Sequence, residues 1–200
     1  MSARLRAFTP IDRLQTQTAG FLGTVCPGDP PLVGDAAVLL EVAPAFAVDV
    51  ALDAALKATR CVPGLFLVER EFGVVELHHR ERGEVEAAAA AALGALGLKP
   101  EDRVRPRLVT NERITGTEPH HAQLLNRLRH GDLHAPGQSL LLLEVEPAGY
   151  ALELANEAEK AAKIAVLEIV AFGAYGRVWL AGGDAELREA AARIAGIWDY

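Results

Sequence analysis

The sequence predicts an α+β protein made of two tandem units, residues 1–102 and 103–200, each a mainly antiparallel sheet with helices on one face. Three observations predict it. The chain repeats itself at a fixed offset, short apolar runs of strand length alternate with alanine-rich stretches of helical period, and a charged, proline-bearing segment divides the halves.

The repeat is seen by setting "LLEVAPAFAVDVALDAALKATRCVPGLFLVEREFGVVEL" (39–77) over "LLEVEPAGYALELANEAEKAAKIAVLEIVAFGAYGRVWL" (142–180), an offset of 103 without a gap. Glu41/Glu144, Pro44/Pro147, Lys57/Lys160, Gly73/Gly176 and Val75/Val178 coincide, and upstream Gly28-Asp29 meets Gly131-Asp132 and Gly34 meets Gly137. One single-residue gap then aligns "GEVEAAAAAAL" with "AELREAAARIA". Matched Ala and Leu pairs follow from composition; matched Gly, Pro, Glu and Lys do not.

Each copy opens with a weak strand region, about 3–25 and 106–128, followed by a Gly/Pro/Asp loop, "CPGDPPLVGD" or "RHGDLHAPGQ". A strand follows (37–43, 140–146) and stops at Pro44 or Pro147, since proline sits badly in a central strand. Next, "AVDVALDAALKATR" keeps Val48, Ala51, Leu52, Ala55 and Thr59 on one helical face. Two short strands and a second, Ala-rich helix complete the copy. Asp184 is expected as N-cap of the last helix with Glu186 in its first turn, and Gly97 and Pro100 end the helix of the first copy. The linker "KPEDRVRPR" (99–107) is the boundary.

Composition excludes several classes. Half the residues are hydrophobic, enough for a real core. The net charge of −7 argues against nucleic acid or an anionic membrane as main partner. No run of about twenty apolar residues is present and the N-terminus lacks a signal-peptide pattern, so a soluble intracellular protein is expected. Cys26 and Cys61 have no metal-type spacing and read as reduced thiols, with a disulfide left open. The histidine pairs His78-His79 and His120-His121, read as strand residues, point in opposite directions; His130 and His134 lie in a loop, so no metal is expected. With Ser2 and Ser139 as the only serines and no phosphate-cradling loop, neither an enzyme nor a cofactor is expected.

At "PGLFLVEREFGVVEL" two strands meet at Glu69-Arg70-Glu71, where a hairpin tip more usually carries Asn, Gly or Asp. The stretches 53–93 and 156–194, with their repeated order of helix, strand, turn, strand, acidic turn and Ala-rich helix, resemble the bacterial microcompartment (BMC) shell domain. Two such domains in one chain resemble the tandem-domain shell proteins, and the segment before each "LLEV" strand resembles their circularly permuted subgroup.

The resemblance implies tandem ferredoxin-like BMC domains, a homotrimer that mimics a hexamer, and a place in a microcompartment shell in the cytoplasm beside other shell proteins. It further implies a gated central pore for small metabolites, lined by Glu69 and Arg70 from one turn and by Phe172 and Gly173 from the other. Lys57 and Lys160 match the family's edge lysine at the lateral seam between assemblies. The two Gly/Pro/Asp loops are either ordinary turns or the contact of a face-to-face dimer of trimers. The rival expectation is an oligomeric, small-molecule-binding regulatory protein with ferredoxin-like domains.

Overall fold

The computed structural model describes residues 2–198 and contains two four-stranded antiparallel sheets. The first repeat runs β1 (Arg4–Ile11), α1 (Thr16–Val25), β2 (Ala36–Ala43), α2 (Ala47–Ala58), β3 (Val62–Glu69), β4 (Phe72–His79) and α3 (Arg82–Leu96). The second runs β5 (Arg107–Ile114), α4 (Pro119–Leu128), β6 (Ser139–Glu146), α5 (Ala151–Ala161), β7 (Ala165–Val170), β8 (Gly176–Gly182) and α6 (Asp184–Ala195). Strand order is β1-β2-β4-β3 in one sheet and β5-β6-β8-β7 in the other.

Alternation along β2 explains how the first sheet packs. Val38, Leu40 and Val42 share a core with Val48, Ala51 and Ala55 of α2 and Val85, Ala88 and Ala92 of α3. The alanines let both helices lie close to the sheet. Ala37 and Leu39 point the other way, into a core with Phe21 and Leu22 of α1 and with Tyr150 and Leu152 of the second repeat. Thus β2 is buried on both faces, and the expected helices on one face are joined by a second cover.

Two expectations are corrected. The regions 3–25 and 106–128 are each a strand followed by a helix, not strand alone. No side chain of its own repeat caps α1: the Glu159 carboxylate of α5 accepts from the amides of Gln17 (2.7 Å) and Thr18 (3.0 Å), and Asn156 Oδ1 accepts from Gln15 N (2.9 Å). The start signal for α1 therefore lies in the other half of the chain. His120 and His121 accordingly sit in the first turn of α4, not on a strand, below the cap Glu118. A smaller shift concerns Asp184, which is the first helical residue of α6 rather than its cap; Gly183 holds the cap position. Asp184 instead pairs with Arg113 (2.9 Å) and Arg188 (2.7 Å).

The matched glycines and prolines have structural reasons. A Cβ on Gly73 would strike the Ala45 carbonyl, and one on Gly176 the Ala148 carbonyl. Gly28 and Gly131 lie equally tight on the carbonyls of Pro63 and Val166. Gly34 (φ 88°) and Gly137 (φ 83°) take the left-handed backbone that closes each loop. Pro44 and Pro147 follow cis peptide bonds at the ends of β2 and β6.

Candidate functional site

The β3–β4 hairpin carries its charges as the sequence suggests. Glu69 ends β3 opposite Phe72, and Arg70 turns the corner with φ 50°, a left-handed conformation that costs a residue with a Cβ. Arg70 is exposed, and Glu71 reaches Arg4 across the surface (3.4 Å). Oxygen Oε2 of Glu69 is shielded from solvent and has no hydrogen-bond donor among the described residues. A buried, unpaired carboxylate oxygen is unfavourable, so this tip lacks a donor.

The base of the hairpin is fixed by residues that sequence reasoning missed. The Arg6 guanidinium stacks 3.8 Å from the centre of the Phe72 ring. Its Nε donates to Glu41 Oε1 (2.8 Å), and Glu41 Oε2 accepts from Gly149 N of the second repeat (2.7 Å). One chain of contacts therefore runs from the hairpin through β1 and β2 to the seam between repeats. Burial pushes the Glu41 carboxyl above the ordinary glutamate value, against the bonds from Arg6 and Gly149. The only sequence signal was the Glu41/Glu144 match. At Glu144, the Thr110 hydroxyl and Arg177 instead hold the carboxyl below its ordinary value.

The second hairpin has an uncharged tip, Ala171–Tyr175, in which Gly173 takes φ 92° and Phe172 is partly exposed. The two hairpins are neighbours: Leu65 to Leu67 of β3 and Ile169 to Phe172 line one largely apolar crevice of about 720 Å³. At its rim His130 Nδ1 lies 3.0 Å from Glu168 Oε2, and the His130 ring meets Phe21 edge-on. The structure thus places Glu69, Arg70, Phe172 and Gly173 on adjacent hairpins.

Lys57 and Lys160 lie elsewhere, in the last turns of α2 and α5. Lys57 is exposed and pairs with Asp53 (2.6 Å). Lys160 is half-buried on Glu157, which also binds Arg193 (2.6 Å); burial works against the Glu157 charge, yet the two cations hold its carboxyl below the ordinary value. Cys26 and Cys61 are free thiols, both pushed up by burial. Among the described residues no group of three or more His, Cys, Asp or Glu is placed to hold a metal, and no helix is long and apolar enough to cross a membrane.

Residues 5–102 match the family model of the CsoS1D N-terminal domain. Over 94% of its length the chain is 42% identical to the carboxysome shell protein CcmP of Synechococcus elongatus, covering 88% of that protein. It is 41% identical to the carboxysome shell protein CsoS1D of Hydrogenovibrio crunogenus, covering 94% of this chain and 92% of that one. Two solved structures superpose with a TM-score of 0.94 over 98% of this chain and 96% of theirs. They are the fused permuted hexameric shell protein MSM0275 (43% identity) and the double-ringed trimeric shell protein MSM0271 (37%), both of the RMM microcompartment.

Proposed function

Because the chain belongs to the permuted tandem-domain shell proteins of bacterial microcompartments, we propose that it is a tile of such a shell, a pseudohexameric homotrimer with a gated central pore. It is a structural protein and not an enzyme. Its two shell domains are residues 1–102 and 103–200, it sits in the microcompartment shell, and its neighbours there are other shell proteins. Support for the tile comes from likeness over the whole chain to trimeric and hexameric shell proteins.

The observation that carries the gate is the donorless Glu69 oxygen beside an exposed Arg70 in left-handed backbone. Around a threefold axis, three such tips would converge. Arg70 of one chain would then supply the donor that Glu69 of its neighbour lacks, closing the pore. Rearranging Arg70 would reopen it to small metabolites, with Phe172 and Gly173 forming the uncharged part of the rim. Lys57 and Lys160 serve the lateral seam, and the loops 26–35 and 129–138 the face-to-face stacking of two trimers, which the likeness to a double-ringed trimer favours.

Glu69→Ala tests the gate. The trimer mass is expected to stay unchanged while the pore seen by cryo-electron microscopy shifts towards open. An identical pore in the variant would sink the gate and leave the tile intact. The 720 Å³ crevice favours a second reading, small-molecule binding between the repeats, in which thermal stabilisation of the protein by a metabolite depends on Phe172.

A further inference from the structure

Loop 129–138 of the second repeat buries a single residue, His134, at 1% exposure, with exposed neighbours on either side. Its main chain is clasped by Asn126 of α4, whose Oδ1 accepts from His134 N (2.9 Å) and whose Nδ2 donates to the His134 carbonyl (2.8 Å). The imidazole has no such partners. Neither Nδ1 nor Nε2 meets a donor or an acceptor among the described residues. Burying a neutral ring without hydrogen bonds is unfavourable, and burying a charged one far more so.

The first repeat shows what this position accepts. Both loops close alike, Gly34 N donating to the Leu14 carbonyl (2.9 Å) and Gly137 N to the Thr117 carbonyl (3.0 Å). Where the second repeat buries His134, the first buries Pro31, and opposite Thr117 stands the fully buried Leu14. An apolar plug therefore seats the loop in one repeat, and a titratable plug seats it in the other. The Thr117 hydroxyl is likewise buried without a partner among the described residues.

We propose that His134 is an acid latch: with its ring neutral, loop 129–138 stays seated on α4, and when the ring takes up a proton the loop lifts off and carries the charge into water. The latch is a property of the loop and goes beyond the tile and its pore. On the reading that this loop serves face-to-face stacking, acid loosens that contact.

The surroundings offer the proton no counter-charge. From α4, His121 is the titratable group that bears on the ring, and its own protonation adds repulsion. Glu118 of the same helix is spent on the amides of His120 and His121. Within the loop, Arg129 holds Asn126 Oδ1 and the Gly131 carbonyl, Asp132 accepts from Leu133 N, and His130 lies on Glu168 of β7. Burial, and then the charge of His121, push the His134 imidazole below the ordinary histidine value of 6.5. The open loop therefore takes the proton more readily than the seated one. Seating is fully favoured above pH 6.5 and is lost as pH falls from there towards the folded value.

The experiment is hydrogen exchange read by mass spectrometry on the full chain at about pH 7.5 and about pH 5.5, corrected for the intrinsic pH dependence of exchange. Protection of the amides in 131–138 is expected to fall several-fold in acid, roughly tenfold at most for one proton, while the core amides of β6 keep theirs. His134→Leu, apolar like Pro31, should show no acid loss, and His121→Gln a smaller one than the wild type. Unchanged protection in the wild type, an equal loss in β6, or the same loss in His134→Leu would overturn the latch. Should leucine leave the loop unseated at both pH values, His121→Gln decides: a reduced acid loss supports the latch and an undiminished one overturns it.

Discussion

Glu41 and Glu144 hold the same place in the two repeats and are pushed in opposite directions. Glu41 is fully buried because the second repeat covers it, whereas Glu144 keeps about a third of its side chain in solvent. The difference lies in what packs on top, which is why a match between the two glutamates reveals a repeat but not a seam. Removing the Glu41 carboxylate leaves the Arg6 charge and the Gly149 amide without an acceptor. Glu41→Ala should therefore lower folding stability by about 3 kcal/mol, as for other broken buried pairs, measured by urea unfolding at pH 7. The pH dependence has a definite sign. With its folded value raised above the ordinary 4.5, Glu41 takes up protons on folding. Its contribution to stability is thus most favourable at low pH and declines as pH rises from about 4.5 through the folded value. Glu41→Gln should remove that decline from the stability–pH curve; an unchanged slope would show that the carboxyl titrates normally.

At the scale of elements, legibility follows from where each signal is kept. The β3–β4 hairpin, the alanine-lined helices α2 and α3, and the stops at Pro44, Pro147 and Gly97 all carry their determinants within a few residues, and all could be read. Glu69 and Arg70 were visible for the same reason, as charges between two apolar strands. Helix α1 could not be read, because its cap comes from α5. The Phe72–Arg6–Glu41–Gly149 chain was hidden too, since it exists only once the halves are packed together. For α4 the signal was local, Glu118 before Pro119, but the polar residues that follow obscured its helical period. The α1 account predicts that Glu159→Ala will expose the amides of Gln17 and Thr18. Their hydrogen exchange should quicken roughly tenfold, for the loss of about 1.4 kcal/mol typical of a charged cap, while core amides of β2 stay slow. Equal acceleration in β2 would mean that the whole fold, not one helix end, depends on Glu159.

Over the whole molecule, the repeat buries one seam between its halves and leaves large apolar residues at the equivalent positions exposed, Phe46 and Leu128 among them. On the tile reading, association of such chains should contribute to their stability by mass action. For a trimer that unfolds to single chains, a tenfold rise in concentration favours assembly by about 1.4 kcal/mol for each of two association steps, or about 0.9 kcal/mol per chain. For a chain of this size that corresponds to a rise in Tm of roughly 2–4 °C. Scanning calorimetry at concentrations a decade apart should show this rise in the wild type and none in Leu128→Glu, whose unfolding involves no dissociation. A concentration-independent Tm in the wild type would mean that the chain unfolds without separating from its partners or never meets them. A native mass taken below the transition decides between the two.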